Sequence, residues 1–131
     1  MCIWHNCSSS SSYYTCFCYW QNGKSVPRLS IMPKLAITAS DRDISQNIIY
    51  PVVNTWYFSV LTYENDIVCL YVNGTKVIES QINVNIGEGY AFLQCGSYGG
   101  DYITRLCSPR IYKRVLTQDE INVLFKEFFL E

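Results

Sequence analysis

The chain is poor in charge, in histidine and in long apolar runs. Only 16% of its 131 residues are charged, and ten Lys and Arg stand against eleven Asp and Glu. A near-neutral balance without a basic stripe excludes the electrostatic footprint of a dedicated nucleic-acid binder. With 49% hydrophobic residues it is equally unlike a disordered tail. No apolar run reaches the roughly 18 residues that a membrane span requires. The sole histidine, His5, sits at an irregular-looking terminus and leaves no convincing Ser/His/Asp relay. The seven cysteines contain no CxxC pair, so Cys2, His5 and Cys7 form the one local candidate for a zinc site, against the plainer reading of small buried thiols. The serine run 8–12 interrupts any signal-peptide core and reads as a flexible linker, so no disulfide framework is implied.

What the chain does have is aromatics, three Trp, eleven Tyr and six Phe, set in period-2 patterns. Residues 13–20 are dense in aromatics and thiols and run into Asn22-Gly23, a hairpin signal. Residues 29–39 are broken by Pro33, which predicts an edge, a bulge or two short strands. A polar loop is expected at 40–43 and a strand at 48–53. From Trp56, one face carries Trp56, Phe58, Val60 and Thr62 and the other Tyr57, Ser59, Leu61 and Tyr63. Bulk on both faces predicts a central strand, with Trp56 as a core anchor.

Glu64-Asn65-Asp66 predicts a turn, and Asn73-Gly74 a type I′ hairpin, because both central residues must take positive φ. Asn6-Cys7-Ser8 and Asn73-Gly74-Thr75 fit the glycosylation sequon, but the second is better explained as that turn. Strands are expected to continue through Ile82, Val84 and Ile86, over 90–95 and over 102–112, where Pro109 marks an edge or bulge. Only the end is helical. Thr117 and Glu120 make a capping box, and Ile121, Leu124, Phe125 and Phe128 follow as one apolar stripe.

Three stretches carry a resemblance: Asn54-Thr55-Trp56-Tyr57-Phe58-Ser59-Val60, Leu70-Tyr71-Val72-Asn73-Gly74, and the run from Arg110-Ile111-Tyr112 through Arg114 and Leu116-Thr117 to Glu120-Ile121. In order and spacing they resemble the laminin-G-like, concanavalin A-like lectin/glucanase superfamily over residues 54–125. The chain departs from that pattern where Thr104, Leu106, Cys107 and Pro109 stand before the Arg-Ile-Tyr strand, and the first fifty residues match poorly. The resemblance implies an all-β fold, a two-sheet antiparallel jelly-roll sandwich with a short C-terminal helix. It predicts one domain over 1–131, with residues 1–20 as a possible extension.

The functional expectation is a non-catalytic, lectin-like module with a carbohydrate ligand. The glucanase branch of the superfamily places its acids as Glu-x-Asp-x-x-Glu on one strand. Glu64-Asn65-Asp66 approaches that pattern, but Cys69 stands where the last Glu belongs. Sugar recognition needs an aromatic platform with fixed polar groups. Tyr98, Asp101 and Tyr102 in a Gly-rich segment, and Trp20 with Asn22, supply both residue types. No cofactor is required; calcium is a family possibility, with Asp41, Asp43 and Asp101 as the acidic loop residues. The alternative is a structural or protein-interaction subunit of a larger assembly, since tyrosine-rich, charge-poor composition suits protein interfaces.

Overall fold

The computed structural model describes residues 1–8, 14–21, 24–32, 35–39, 42–82, 90–93 and 104–128, with the backbone alone for much of the second sheet. Among these, the strands are β1 (Cys2–Cys7), β2 (Tyr14–Gln21), β3 (Lys24–Met32), β4 (Leu35–Ala39), β5 (Arg42–Ile49), β6 (Tyr57–Glu64), β7 (Ile67–Val72), β8 (Thr75–Gln81), β9 (Tyr90–Leu93) and β10 (Thr104–Arg110), followed by helix α1 (Gln118–Glu127). They form two five-stranded antiparallel sheets, ordered β10-β1-β6-β7-β8 and β5-β4-β3-β2-β9. The fold is the expected two-sheet sandwich with a C-terminal helix.

The largest surprise is β1. The terminus read as irregular is a strand between β10 and β6, and all six of its residues are buried. Alternation sends Ile3, His5 and Cys7 to one face and Cys2, Trp4 and Asn6 to the other. The proposed zinc cluster is therefore split across a sheet, and no group of three metal-ligating side chains converges among the described residues. His5 sits in the interior, 1% exposed, with Nε2 hydrogen-bonded to Ser59 Oγ at 2.8 Å and its ring stacked on Tyr57. Burial pushes its pKa down to about 3, so it is a neutral core residue. Asn6, of the first sequon, is 4% exposed, which removes it from modification in the folded state.

The sheet carrying β1 is covered on both sides. Toward the second sheet, Ile3, Leu61, Val68, Leu70 and Ile78 meet Leu35, Ile37 and Ile44 in an aliphatic core. On its opposite face Cys2, Trp4, Phe58 and Val60 meet Leu116 and Ile121, with Leu124, Phe125 and Phe128 packed against them. β6 is central, as its two bulky faces predicted, flanked by β1 and β7. Trp56 is not the anchor. It precedes the first residue of β6, is only half-buried, and leans on Phe128 at a centroid distance of 5.8 Å. Trp4 fills the anchoring place.

The turns follow from backbone chemistry. Asn65 and Asp66 take φ 50° and 62°, and Asn73 and Gly74 take 50° and 83°, the positive values that a tight two-residue hairpin needs. Asn73 also clamps β6, its Oδ1 accepting from Phe58 N at 2.9 Å. Gly74 has a second reason to lack a side chain: a Cβ there meets Asn122 Oδ1 of α1 at 3.0 Å, and Gln118 Nε2 donates to Gly74 O at 2.7 Å. Pro109 lies in an edge strand at a register shift, where Cys2 pairs with Arg110 but Trp4 with Cys107, and Ser108 takes φ 49°.

Two expectations in the second sheet change. Arg42 and Asp43 begin β5 instead of lying in a loop, and pair with Ala39 and Thr38; β5 ends at Ile49, so residues 50–53 are not strand. Residues 29–39 divide between β3, which ends at Met32, and β4, which begins at Leu35, while Pro33 itself lies outside the described residues. The expectations for 83–89 and for residues 94 and 95 lie outside the described residues.

Candidate functional site

Among the described residues two grooves border α1, so the placing of the helix bears on what a site there can be. Thr117 caps it: Thr117 Oγ1 accepts from Glu120 N, and the Glu120 carboxylate accepts from Thr117 N at 2.8 Å. Arg114 donates to both oxygens of the same carboxylate, with Nη1 at 2.8 Å. The Arg114 guanidinium, with the Thr117 N–H behind it, holds Glu120 down at about 2. Arg114 thus secures the helix start to the segment that follows β10. These residues carry the family resemblance, and their role is to hold the fold.

Once docked, α1 leaves a groove between itself and the sheet. It has a volume of about 260 Å³ and is walled by Cys2, Trp4, Phe58, Ser108, Arg110, Leu124, Glu127 and Phe128. The deep part is aromatic. Trp4 lies 5.2 Å from Phe58 and stacks on Phe128 at 4.1 Å and on Phe125 at 5.7 Å. Trp4 and Phe58, at 3% and 2% exposure, make a floor that is almost wholly buried. The rim is polar. Arg110 Nη1 donates to Glu127 Oε2 at 2.9 Å, and both side chains are close to half exposed. An ion pair so exposed adds little stability, and its groups can be redirected to a ligand. The hydrogen bonds that Arg110 donates to Tyr112 and then to Glu127 raise its pKa further and keep it charged. Burial pushes the Cys2 thiol up, so it is a packing group and no nucleophile.

A second groove of about 370 Å³ flanks the other side of α1, between Tyr112, Leu116, Val123 and Leu124 and the polar Arg114, Asp119 and Glu120. Ile111 and Val123 are strongly exposed, at 62% and 59%.

Of the site residues expected from sequence, only Trp20 and Asp43 are among the described residues. Tyr98, Asp101, Tyr102, Asn22 and Asp41 lie outside the described residues. Trp20 is in β2, opposite Ser25 and Tyr90, and Asp43 is in β5 opposite Thr38. The glucanase-like acids do not converge: Glu64 is exposed at the end of β6, Asp66 is in the turn accepting from Tyr63 Oη at 2.8 Å, and Cys69 is buried. The first groove was missed because its floor comes from β1, whose alternation of Cys2 and Trp4 against Ile3 and His5 was the available signal.

The sandwich, with its capped helix over one face, can now be set beside known proteins. The family model described as the concanavalin A-like lectin/glucanases superfamily matches residues 1–122. The chain belongs to that superfamily. The match includes the first fifty residues, where the sequence motifs offered no guidance. No curated protein matches the chain by sequence.

Solved structures show the same fold at low identity. The receptor-binding domain of botulinum neurotoxin mosaic serotype C/D superposes with a TM-score of 0.71 at 17% identity, covering 98% of this chain and 36% of that one. The binding domain of botulinum neurotoxin DC, solved in complex with rat synaptotagmin II, gives 0.67 at 18%, over 96% and 35%. A structure from work describing cell entry of botulinum neurotoxin type C as dependent on two ganglioside molecules gives 0.65 at 18%, over 96% and 34%. The chain spans about a third of the length of each.

Proposed function

We propose that this superfamily member is a non-catalytic binding module whose ligand is a carbohydrate, held in the groove between β1, β10 and α1. The observation that carries the reading is the make-up of that groove. An apolar aromatic floor from Trp4, Phe58 and Phe128 meets a rim of Ser108, Arg110 and Glu127, which offers a hydroxyl, a planar donor and a carboxylate acceptor. Sugars present the matching surface, C–H patches beside hydroxyls of fixed direction. About 260 Å³ suits one or two rings. The ganglioside dependence named for one similar structure supports the same class of ligand, while the synaptotagmin II complex of another supports a protein partner.

The test is a glycan-array screen followed by calorimetric titration, with and without calcium, on the parent chain, Arg110→Ala and Tyr98→Ala. The account expects Arg110→Ala to weaken binding about tenfold or more, with thermal stability unchanged. Loss in Tyr98→Ala alone moves the site to the Gly-rich segment, and dependence on calcium brings in Asp41, Asp43 and Asp101. Turnover of a β-glucan overturns the non-catalytic reading. A protein partner is the second reading, favoured by the exposed Ile111 and Val123 beside the second groove. Binding to no sugar, together with co-purification of another subunit, selects it.

A further inference from the structure

The connection between β5 and β6 departs from the rest of the described surface. Tyr50, Val52 and Val53 are 66%, 62% and 38% exposed within one short loop, while Pro51 between them is buried. Single exposed apolar residues are ordinary, but three on one loop are a patch. The loop is built to hold them out. Val52 N donates to Tyr57 Oη at 3.0 Å, Asn54 N to Cys7 O at 2.7 Å, and Thr55 N to Val52 O at 3.3 Å, with Asn54 at φ 59°. Three of its backbone donors are thus satisfied within the chain, which lowers the penalty for a loop tip to leave water.

Charge points the same way. Residues 44–63 contain no Asp, Glu, Lys or Arg. At the same end of the sheet, Asn6 precedes the Cys7 that anchors Asn54, and opposite Asn6 stands the exposed cation Arg105. Protein partners bury roughly 800 Å² on each side in a stable contact, far more than three side chains on one loop supply. A lipid surface requires no matching shape. It accepts aliphatic side chains at the acyl boundary, phenols at headgroup depth and cations at anionic phosphates.

We propose that the loop 50–55 is a lipid-surface contact, with Val52 and Val53 entering the acyl boundary, Tyr50 at headgroup level and Arg105 facing anionic headgroups. The proposal does not depend on the sugar groove. It is tested by co-sedimentation of the full chain with sugar-free vesicles of phosphatidylcholine, with and without phosphatidylserine. The parent chain should bind both and prefer the anionic vesicles. The double variant Val52→Asp with Val53→Asp should lose about tenfold or more in partitioning while its melting temperature holds. Arg105→Gln should lose only the preference for phosphatidylserine. No association of the parent chain, or association unchanged in the double variant, overturns the proposal. Binding to native membranes that protease treatment abolishes, without binding to pure lipid, also overturns it, in favour of a protein contact.

Discussion

The two faces of the β1-containing sheet are packed in different ways. The face toward the second sheet is aliphatic, with Ile3, Leu70 and Ile78 at or near zero exposure, and it admits one polar pair, His5 and Ser59. Branched aliphatic side chains from two pleated surfaces interdigitate closely. The face toward α1 is aromatic. Large rigid rings on a ten-residue helix cannot close against a sheet along its whole length, and the gaps left beside the helix are the grooves. The first face supplies stability. The second supplies both stability and a surface for a ligand.

That comparison can be broken by substitution. Trp4→Ala removes the ring to which Phe58, Phe125 and Phe128 are stacked and is expected to cost about 4 kcal/mol, read by denaturant unfolding. Leu70→Ala, on the aliphatic face, is expected to cost about 3 kcal/mol with the helix still in place by circular dichroism. If Trp4→Ala were nearly neutral, the helix would be an accessory and the aromatic face no second core.

A pH titration sharpens the contrast from the aliphatic side. His5 is neutral in the fold at about 3 and titrates near 6.5 when unfolded, so folding binds fewer protons below pH 6.5. Stability should be full above pH 6.5 and fall as pH drops toward 3, by about 2 kcal/mol at pH 5. His5→Gln should flatten that slope. The helix side responds in a different range. Glu120 is held charged to about 2, so its contribution is present above the ordinary carboxylate range and is lost only as pH falls through that value. The smallest effect expected is Gly74→Ala, about 1 to 2 kcal/mol, from φ 83° and the approach of Asn122. Thermal melts of Gly74→Ala with and without Asn122→Ala separate the two causes.

The chain's local chemistry made one side of this picture legible. Asn65-Asp66, Asn73-Gly74, the Pro109 bulge and the Thr117 capping box each depend on a few adjacent residues, and each is where the sequence placed it. The family motifs were legible for the same reason: Asn73 clamps the hairpin to β6, Gly74 receives Gln118 of the helix, and Arg114 with Glu120 secures the helix start. What was not legible depends on distant pairing. β1 looks like a terminus until β10 and β6, from the far side of the chain, close around it. His5 and Trp4 therefore could not be placed, and Trp56 was given the anchoring role that Trp4 holds. Arg42 and Asp43 looked like loop residues because nothing local reveals a strand partner. The groove was invisible because its walls come from β1, β10 and α1 together.

The most direct measurement of the central claim is amide and indole chemical-shift mapping by NMR, with the best glycan from the array titrated into the labelled chain. The account predicts shifts concentrated at Trp4, Ser108, Arg110, Glu127 and Phe128, with the aliphatic face around Leu70 and Ile78 unmoved. Shifts centred on residues 96–102, or on Tyr112 and Val123, with the groove silent, would contradict it.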